Sequence, residues 1–343
     1  MQATPVADSR SATATIPESM RAVVARRYGG PEVIGNEEVP VPKPARDEVL
    51  VKVEASSLNA LDWHYLTGTP YFMRLMVGLV RPKRIIPGAD VAGVVVAKGS
   101  EVHDLSIGDA VFGECQGGGC APYLASTTDR IVKIPTGVSF EAAAATPVAG
   151  LTALQALRTH CKVQEGEHVL INGAAGGVGT FSVQIAKAFG AEVTAVCSTR
   201  NVDMVQSLGA DHVVDYLRED FVEGGARFEV MIDNVGNRSA AECLSVLQPD
   251  GRYAAISGPK RNRLLGPVPH IVGAALSFRR APQSFHQFTA SPNHDDLTTL
   301  GELLADGQVV PEIQRVLGPG GVADALAEIG TGHTRAKIVV VSS

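Results

Sequence analysis

The sequence predicts an α/β protein in two parts, a barrel-like β unit and a doubly wound parallel sheet. Three observations predict it. Short alternating or buried apolar runs, punctuated by Gly and Pro, fill residues 21–135, as in an all-β unit. From Phe140 onward, helical patterns alternate with apolar runs, the signature of a parallel sheet. Inside that second part lies a glycine-rich turn, Gly173-Ala174-Ala175-Gly176-Gly177-Val178-Gly179, framed by strand, helix and strand.

Taken in order, residues 1–19 are rich in Ala, Thr, Ser and Pro and have no apolar core. They read as a disordered tail, not a signal peptide, and Asp8 and Glu18 offset Arg10, against a transit peptide. The fold is expected to begin at Met20. Val49–Ala55 alternates as a half-buried strand should, and Val91–Ala97 reads as a buried strand carrying a glycine. Gly108–Gly113 reads as a turn entering a strand. Glu141–Ala145 and Gly150–Arg158 read as helices. Val169–Ile171 is a strand, the helix after the glycine turn ends at Gly190, and Val193–Cys197 is the next strand. His212–Asp215, Phe228–Asp233 and Arg252–Ser257 follow as strands, with helices near Val202–Leu208 and Ser239–Leu247. Gly190, Gly209 and Gly251 close helices or open turns. Lys337–Val341 reads as a final strand that returns to the first part. The expected domains are therefore 20–143 with 291–343, and 144–290.

Composition narrows the class. At 343 residues two domains are the natural expectation, and 45% hydrophobic residues supply a sizeable core. A net charge of −6 argues against a nucleic-acid surface. Five scattered cysteines, an odd number, suit reduced thiols in a cytoplasmic protein. No apolar run reaches ~18 residues, so no transmembrane helix is expected.

Strand, glycine turn, helix, strand is the first unit of a dinucleotide-binding sheet. Gly173, Ala175, Gly176, Gly177 and Val178 are expected at the pyrophosphate. There glycines permit a tight turn, let backbone N–H groups approach, and let helix and strand pack closely. The helix N-terminus adds free donors and a positive dipole end. The end of the second strand selects the cofactor, since an acid there binds the ribose 2′-hydroxyl of NAD. Here that place reads Cys197-Ser198-Thr199-Arg200, while Glu192 is at the wrong end and Asp203 lies in the next helix. Two hydroxyls and a guanidinium suit a 2′-phosphate, so NADPH is expected. Ser198 can also serve as a helix N-cap.

The order of motifs resembles the medium-chain dehydrogenase/reductase superfamily. These are Ser57–Trp63 (SLNALDW), Pro87–Gly93 (PGADVAG), Pro147–Ala153 (PVAGLTA), Gly173–Gly179, Leu208–His212 (LGADH) and Asp233–Gly236 (DNVG). Within it the chain looks like the zinc-independent quinone oxidoreductase and enoyl-reductase-like branch. Asp62–Tyr65 and Asn201–Asp203 place it near the chloroplast-envelope quinone oxidoreductase homologue group. The resemblance implies a GroES-like β-barrel catalytic domain plus a doubly wound Rossmann cofactor domain, and a homodimer. The alcohol-dehydrogenase branch holds catalytic zinc at positions that read Asn59-Ala60, Gly88-Ala89-Asp90 and about Val148 here. One Asp does not make a zinc site, and Cys115 and Cys120 are too few for a structural zinc lobe, so no metal is expected.

Without a metal, conjugated acceptors are the easier substrates. Hydride from the nicotinamide adds to an enone β-carbon or a quinone, and hydrogen bonds stabilise the developing oxyanion. The resemblance puts Asn59 first for orienting substrate or nicotinamide; its bland reading is an N-cap for a short helix over Ala60–Leu66. Asp62 is catalytic or structural. Tyr65, His64 or water supplies the proton. Thr152 matches the segment that contacts the nicotinamide half. Tyr216 and Lys337 are placed on the adenosine phosphate and nicotinamide sides, respectively. Asn234, Val235 and Ser257 stand at strand ends, where parallel sheets bind ligands. Tyr71–Lys83 and Leu264–Arg280 are apolar with bases. They line a pocket, form a dimer contact, or touch a membrane surface at its periphery. The expected function is NADPH-dependent reduction of a small apolar carbonyl or quinone. A dedicated biosynthetic enone reductase and a non-catalytic NADPH-binding sensor are the alternatives.

Overall fold

The structure is a computed structural model describing residues 15–259 and 262–342. They divide into two compact units. One takes the chain up to Leu151, Ser291–Gly307 and everything from Pro311; the other takes Thr152–Ala290 and Gln308–Val310. The division thus falls inside the helix Pro147–Leu154, later than the sequence boundary at 143/144.

In the first unit, β1 (Ser19–Ala25) and β2 (Ile34–Pro40) form an antiparallel ribbon. β3 (Glu48–Leu58), β4 (Asp90–Lys98), β5 (Ala110–Glu114), β6 (Tyr123–Thr127) and β7 (Ile131–Lys133) follow. Val49, Val51 and Val53 alternate into one cluster with Val91, Val95 and Val111, while Leu50 turns to a second cluster with Met20, Ala22 and Val24. Period-two burial on both faces of β3 explains why it reads so clearly as a strand. The tail expectation lies outside the described residues over 1–14. From Thr15 it needs correction: Ile16 already packs against the Met20 cluster, and the Glu18 carbonyl accepts from the Val41 N–H.

The second unit is built on β8 (His168–Asn172), β9 (Glu192–Cys197), β10 (His212–Asp215), β11 (Phe228–Asp233), β12 (Leu247–Ala255) and β13 (Ser284–Gln287). All pairings are parallel, in the order β10-β9-β8-β11-β12-β13. The order reverses between β8 and β11, the switch point where such sheets bind ligands beyond their C-terminal ends. Two readings are corrected. β12 starts at Leu247 and runs through Gly251, whose neighbours Pro249 and Asp250 gave a turn signal. Ser257 lies beyond the strand, its N–H donating to the Asp233 carbonyl. The helix expected over Gly150–Arg158 is α-helical only to Leu154 and widens into a π-helical turn over Gln155–His160.

The chain then returns to the first unit with β14 (Ile313–Leu317) and β15 (Lys337–Val341). β15 is antiparallel to β3 and parallel to β14, giving the order β14-β15-β3-β4-β5-β7 with β6 also on β3. The helix Val322–Thr331 buries Val322, Ala325, Leu326 and Ile329 against Leu58, Leu66 and Ile338. A Cβ at Gly330 would sit 2.6 Å from the Trp63 ring, so only glycine lets the short helix Ala60–Thr67 approach.

Candidate active site and cofactor site

Three strands of the first unit bring one polar cluster together. In register, Ser57 of β3 faces Asp90 of β4, and Leu58 faces Ile338 of β15, next to Lys337. Asp90 is wholly buried, as is the body of Lys337. The Asp90 carboxylate accepts from Ser57 Oγ at 2.6 Å, Asn59 Nδ2 at 2.9 Å, the Val148 N–H at 2.8 Å and Lys337 Nζ at 3.2 Å. Lys337 Nζ also donates to Asn59 Oδ1 at 2.6 Å. A buried charge pair of this kind is tolerable only when its other hydrogen-bonding positions are filled, as here.

Asn59 is the N-cap of the helix Ala60–Thr67, in a capping box with Asp62. Its carboxamide is also engaged by Asp90 and Lys337. Lys337, expected on the nicotinamide side, lies in this buried cluster beside Asn59. Asp62 closes the helix start: its carboxylate accepts the Asn59 N–H and the Gly88 N–H, each at 2.8 Å. Burial, opposed by those two N–H groups, raises its carboxyl to about 6. Asp62 thus clamps the helix to the Gly88 turn. Tyr65 is held by Arg84, whose Nη1 donates to its hydroxyl at 2.8 Å and whose guanidinium lies 5.0 Å from its ring centroid. Burial raises the Tyr65 phenol. His64 Nδ1 lies 2.6 Å from the Thr69 carbonyl.

In the second unit, Gly173 adopts φ +79°, and a Cβ there would strike Val235 Cγ2 at 2.7 Å. A Cβ at Gly179 would lie 2.2 Å from the Gly173 carbonyl, so helix and turn need glycine to pack. Gly176 differs: a Cβ would meet only the Gly173 carbonyl at 3.6 Å. Among the described residues, nothing else fills that space. The helix Gly177–Ala188 starts there with Gly176 as N-cap, and the N–H groups of Gly177 and Val178 have no intrahelical acceptor. Ala175 precedes it. Across the switch point, Asn234 Nδ2 donates to the Asn172 carbonyl at 3.1 Å, while Asn234 Oδ1 is shielded and has no partner among the described residues. Open space over Gly176, unfilled donors and an orphaned acceptor fit a dinucleotide laid across β8 and β11.

Asp233 shapes that edge and was missed in the sequence. Wholly buried, it accepts from Asn172 Nδ2, the Tyr253 hydroxyl, and the Val235 and Gly236 N–H groups at 2.8–3.0 Å. Asp90 was missed likewise. In both cases the available signal was a carboxylate at the end of an otherwise apolar strand.

At the ends of β9 and β10 one expectation changes. Thr199 Oγ1 donates to Asp215 Oδ2 at 2.5 Å, so that hydroxyl is committed within the chain. The bond from Thr199 lowers the Asp215 carboxyl below its ordinary value. Ser198 Oγ accepts from Asn201 Nδ2 at 3.1 Å and does not cap the following helix. Arg200 and Tyr216 are exposed. Thr152 is half-buried in its helix, at the division between the units. Tyr71–Lys83 and Leu264–Arg280 both expose apolar side chains, among them Leu75, Met76, Val272 and Leu276. No described helix is long and apolar enough to cross a membrane.

A family model described as "Alcohol dehydrogenase GroES-like domain" matches residues 45–146, and one described as "Zinc-binding dehydrogenase" matches 208–340. The chain is 33% identical over 335 residues to the chloroplast envelope quinone oxidoreductase homolog of Arabidopsis thaliana, with 94% of this chain and 98% of that one covered. The chain belongs to the medium-chain dehydrogenase/reductase superfamily. It is 32% identical over 348 residues to the NADPH-dependent alkenal/one oxidoreductase, chloroplastic, of Arabidopsis thaliana, covering 96% of this chain and 81% of that one. The solved quinone oxidoreductase from Coxiella burnetii superposes with a TM-score of 0.83 at 28% identity, over 95% of this chain and 100% of that one. This member of the superfamily is an oxidoreductase, its fold joins a GroES-like domain to a Rossmann-like parallel sheet, and it binds a nicotinamide cofactor.

Zinc does not fit the cluster around Asp90. Of the three family ligand positions, only Asp90 offers a metal-ligating side chain, and its oxygens already take four donors, one of them an ammonium. A dication there would face Lys337. Burial raises the Cys115 and Cys120 thiols, which disfavours the thiolates that bind metal.

Proposed function

We propose that this oxidoreductase transfers hydride from NADPH to quinones or to the C=C bond of α,β-unsaturated carbonyls, with no metal. The observation that carries the reading is the Asp90–Asn59–Lys337 cluster. It puts a hydrogen-bond donor backed by a fixed cation where relatives with zinc keep a Lewis acid. Such help suffices for an acceptor whose negative charge is delocalised as it forms, and is weak for a simple ketone or alcohol. Asn59 holds the acceptor or the nicotinamide in line. Tyr65 or water returns the proton. The printed names of the relatives, quinone oxidoreductase and alkenal/one oxidoreductase, point the same way.

For the cofactor, Arg200 is exposed at the end of β9 and suits a 2′-phosphate. Asp215, the nearby carboxylate that would otherwise favour a ribose hydroxyl, is occupied by Thr199, the Leu217 N–H and Arg218. The test is oxidation of NADPH and NADH with 1,4-benzoquinones, 2-alkenals and cyclic enones, followed by product analysis. A saturated ketone from an enone supports the reading; an allylic alcohol overturns it. Arg200→Ala is expected to lower NADPH affinity roughly 10–150-fold, the value of a lost hydrogen bond to a charged group, with NADH little changed. Equal losses for both cofactors refute the 2′-phosphate role.

A further inference from the structure

We propose that Asp90 and Lys337 act as positioning residues that fix the polarity of the Asn59 carboxamide, so that it always presents an N–H, and never its oxygen, to the reacting molecules. The inference rests on Asn59 as the donor in the reading above.

A carboxamide has two nearly isosteric ends, and rotation by half a turn exchanges donor and acceptor. At Asn59 the chemistry of the neighbours removes that ambiguity. An ammonium only donates and a carboxylate only accepts. Lys337 Nζ stands 2.6 Å from one end of the amide and Asp90 Oδ2 2.9 Å from the other. The reversed amide would set its NH2 against the ammonium and its oxygen against the carboxylate, two repulsive contacts in a shielded place. One N–H of Nδ2 goes to Asp90. The other has no partner among the described residues, and Asn59 is only half-buried. A single donor of defined direction is thus left free.

The backbone is arranged to deliver Lys337 to this place. Ala336, just before it, is held at φ +51°, a left-handed conformation uncommon for a residue with a Cβ. The β14–β15 register slips between Ile313, opposite Lys337, and Arg315, opposite Ile338. Bulges of this kind re-aim a side chain. The Lys337 N–H is anchored on the Glu312 carbonyl at 3.1 Å, and Arg335 pairs with the Glu312 carboxylate at 2.7 Å. Ser57 and the Val148 N–H fill the remaining positions on Asp90, so its carboxylate cannot turn away from Asn59.

The test is a double-mutant cycle of Asn59→Ala and Lys337→Met, read as turnover of a straight-chain 2-alkenal and a 1,4-benzoquinone. Asn59→Ala is expected to lower kcat about 100-fold and Lys337→Met about 10-fold or more, the scale of one preorganised donor. KM for NADPH stays within about threefold, because cofactor binding is not the affected step. In the Asn59→Ala background, Lys337→Met costs nothing further. Losses that multiply overturn the proposal, since they mean Lys337 acts without Asn59. Should Lys337→Met not fold, Asp90→Asn with Lys337→Met removes both charges together and takes its place. A carboxamide in place of the Asp90 carboxylate can donate or accept, so the Asn59 amide again loses its fixed direction, and the same loss is expected. A second readout needs neither cofactor nor turnover: the side-chain 15N–1H2 pair of Asn59 in the apo protein, assigned by its absence in Asn59→Ala. One set of resonances in the native protein should become two, or broaden, in the variant; a single unchanged set overturns the proposal. If Asn59→Ala keeps full turnover, this inference and the donor role both fall. If it loses turnover but the cycle is additive, only this inference falls.

Discussion

Asp90 in the first unit and Asp233 in the second are both wholly shielded from solvent, each at the end of a strand. Four donors converge on each. For Asp90 they are a hydroxyl, a carboxamide, one N–H and the Lys337 ammonium. For Asp233 they are a carboxamide, a phenol and two N–H groups, all neutral. The difference decides what each carboxyl group can do. A charge pair imposes a polarity on whatever lies between its members, and Asn59 lies there. A ring of neutral donors imposes a shape. Asp233 pins the Asn234–Gly236 turn, where Gly236 adopts φ +68°, and so sets the edge on which the cofactor is proposed to lie.

The two nodes should therefore fail differently. Removing Asp233 strands four partners at once, and no single second substitution supplies them. Asp233→Leu is expected to destabilise the protein by about 3–5 kcal/mol, from several buried donors left unpaired, and to abolish NADPH binding with it. Urea denaturation and cofactor fluorescence measure both. Asp90→Asn with Lys337→Met is expected to be nearly neutral in stability, because a buried ion pair removed as a pair leaves no uncompensated charge. If the two variants lose stability equally, the distinction between a charge pair and a neutral ring is wrong.

This contrast also explains what could be read in the chain. Periodicity and glycines are local signals. β3, β4, the helix after Gly176 and β15 are legible because their burial patterns are regular along a few residues. Gly173 and Gly179 are legible because a Cβ cannot fit there. Asp90 and Asp233 are not, because each draws its meaning from partners far along the chain; Lys337 lies on β15 and Tyr253 on β12. Lys337 is legible as a nicotinamide-side residue, but nothing in its own segment places it against Asp90. Thr199 was legible as a hydroxyl at a strand end but not as a donor to Asp215, since that pairing depends on the register of β9 with β10.

The last expected effect is a pH dependence at the Asp90 node. Asp90 has Glu114 opposite it on β5, and the Glu114 side chain is only 15% exposed. Burial pushes the Glu114 carboxyl up to about 7 from an ordinary 4.5; the charge of Asp90 adds to this, and Arg130 and Arg84 oppose it. The folded protein therefore holds this proton until about pH 7, whereas the unfolded chain releases it near 4.5. Unfolding releases a proton between those values, so the stabilising contribution is complete below about 4.5 and is lost as pH rises through 7. Asp62, raised to about 6, adds a change of the same sign. The carboxyls lowered below their ordinary values, Glu32, Asp211, Asp215 and Glu242, act in the opposite sense and at lower pH. Glu114→Gln should flatten this decline: its stability relative to the native protein should rise by about 2–3 kcal/mol between pH 5 and pH 8, by linkage. Urea midpoints at the two pH values measure it. A difference between the two proteins that stays constant with pH would show that Glu114 is not held against Asp90 in the way its burial implies.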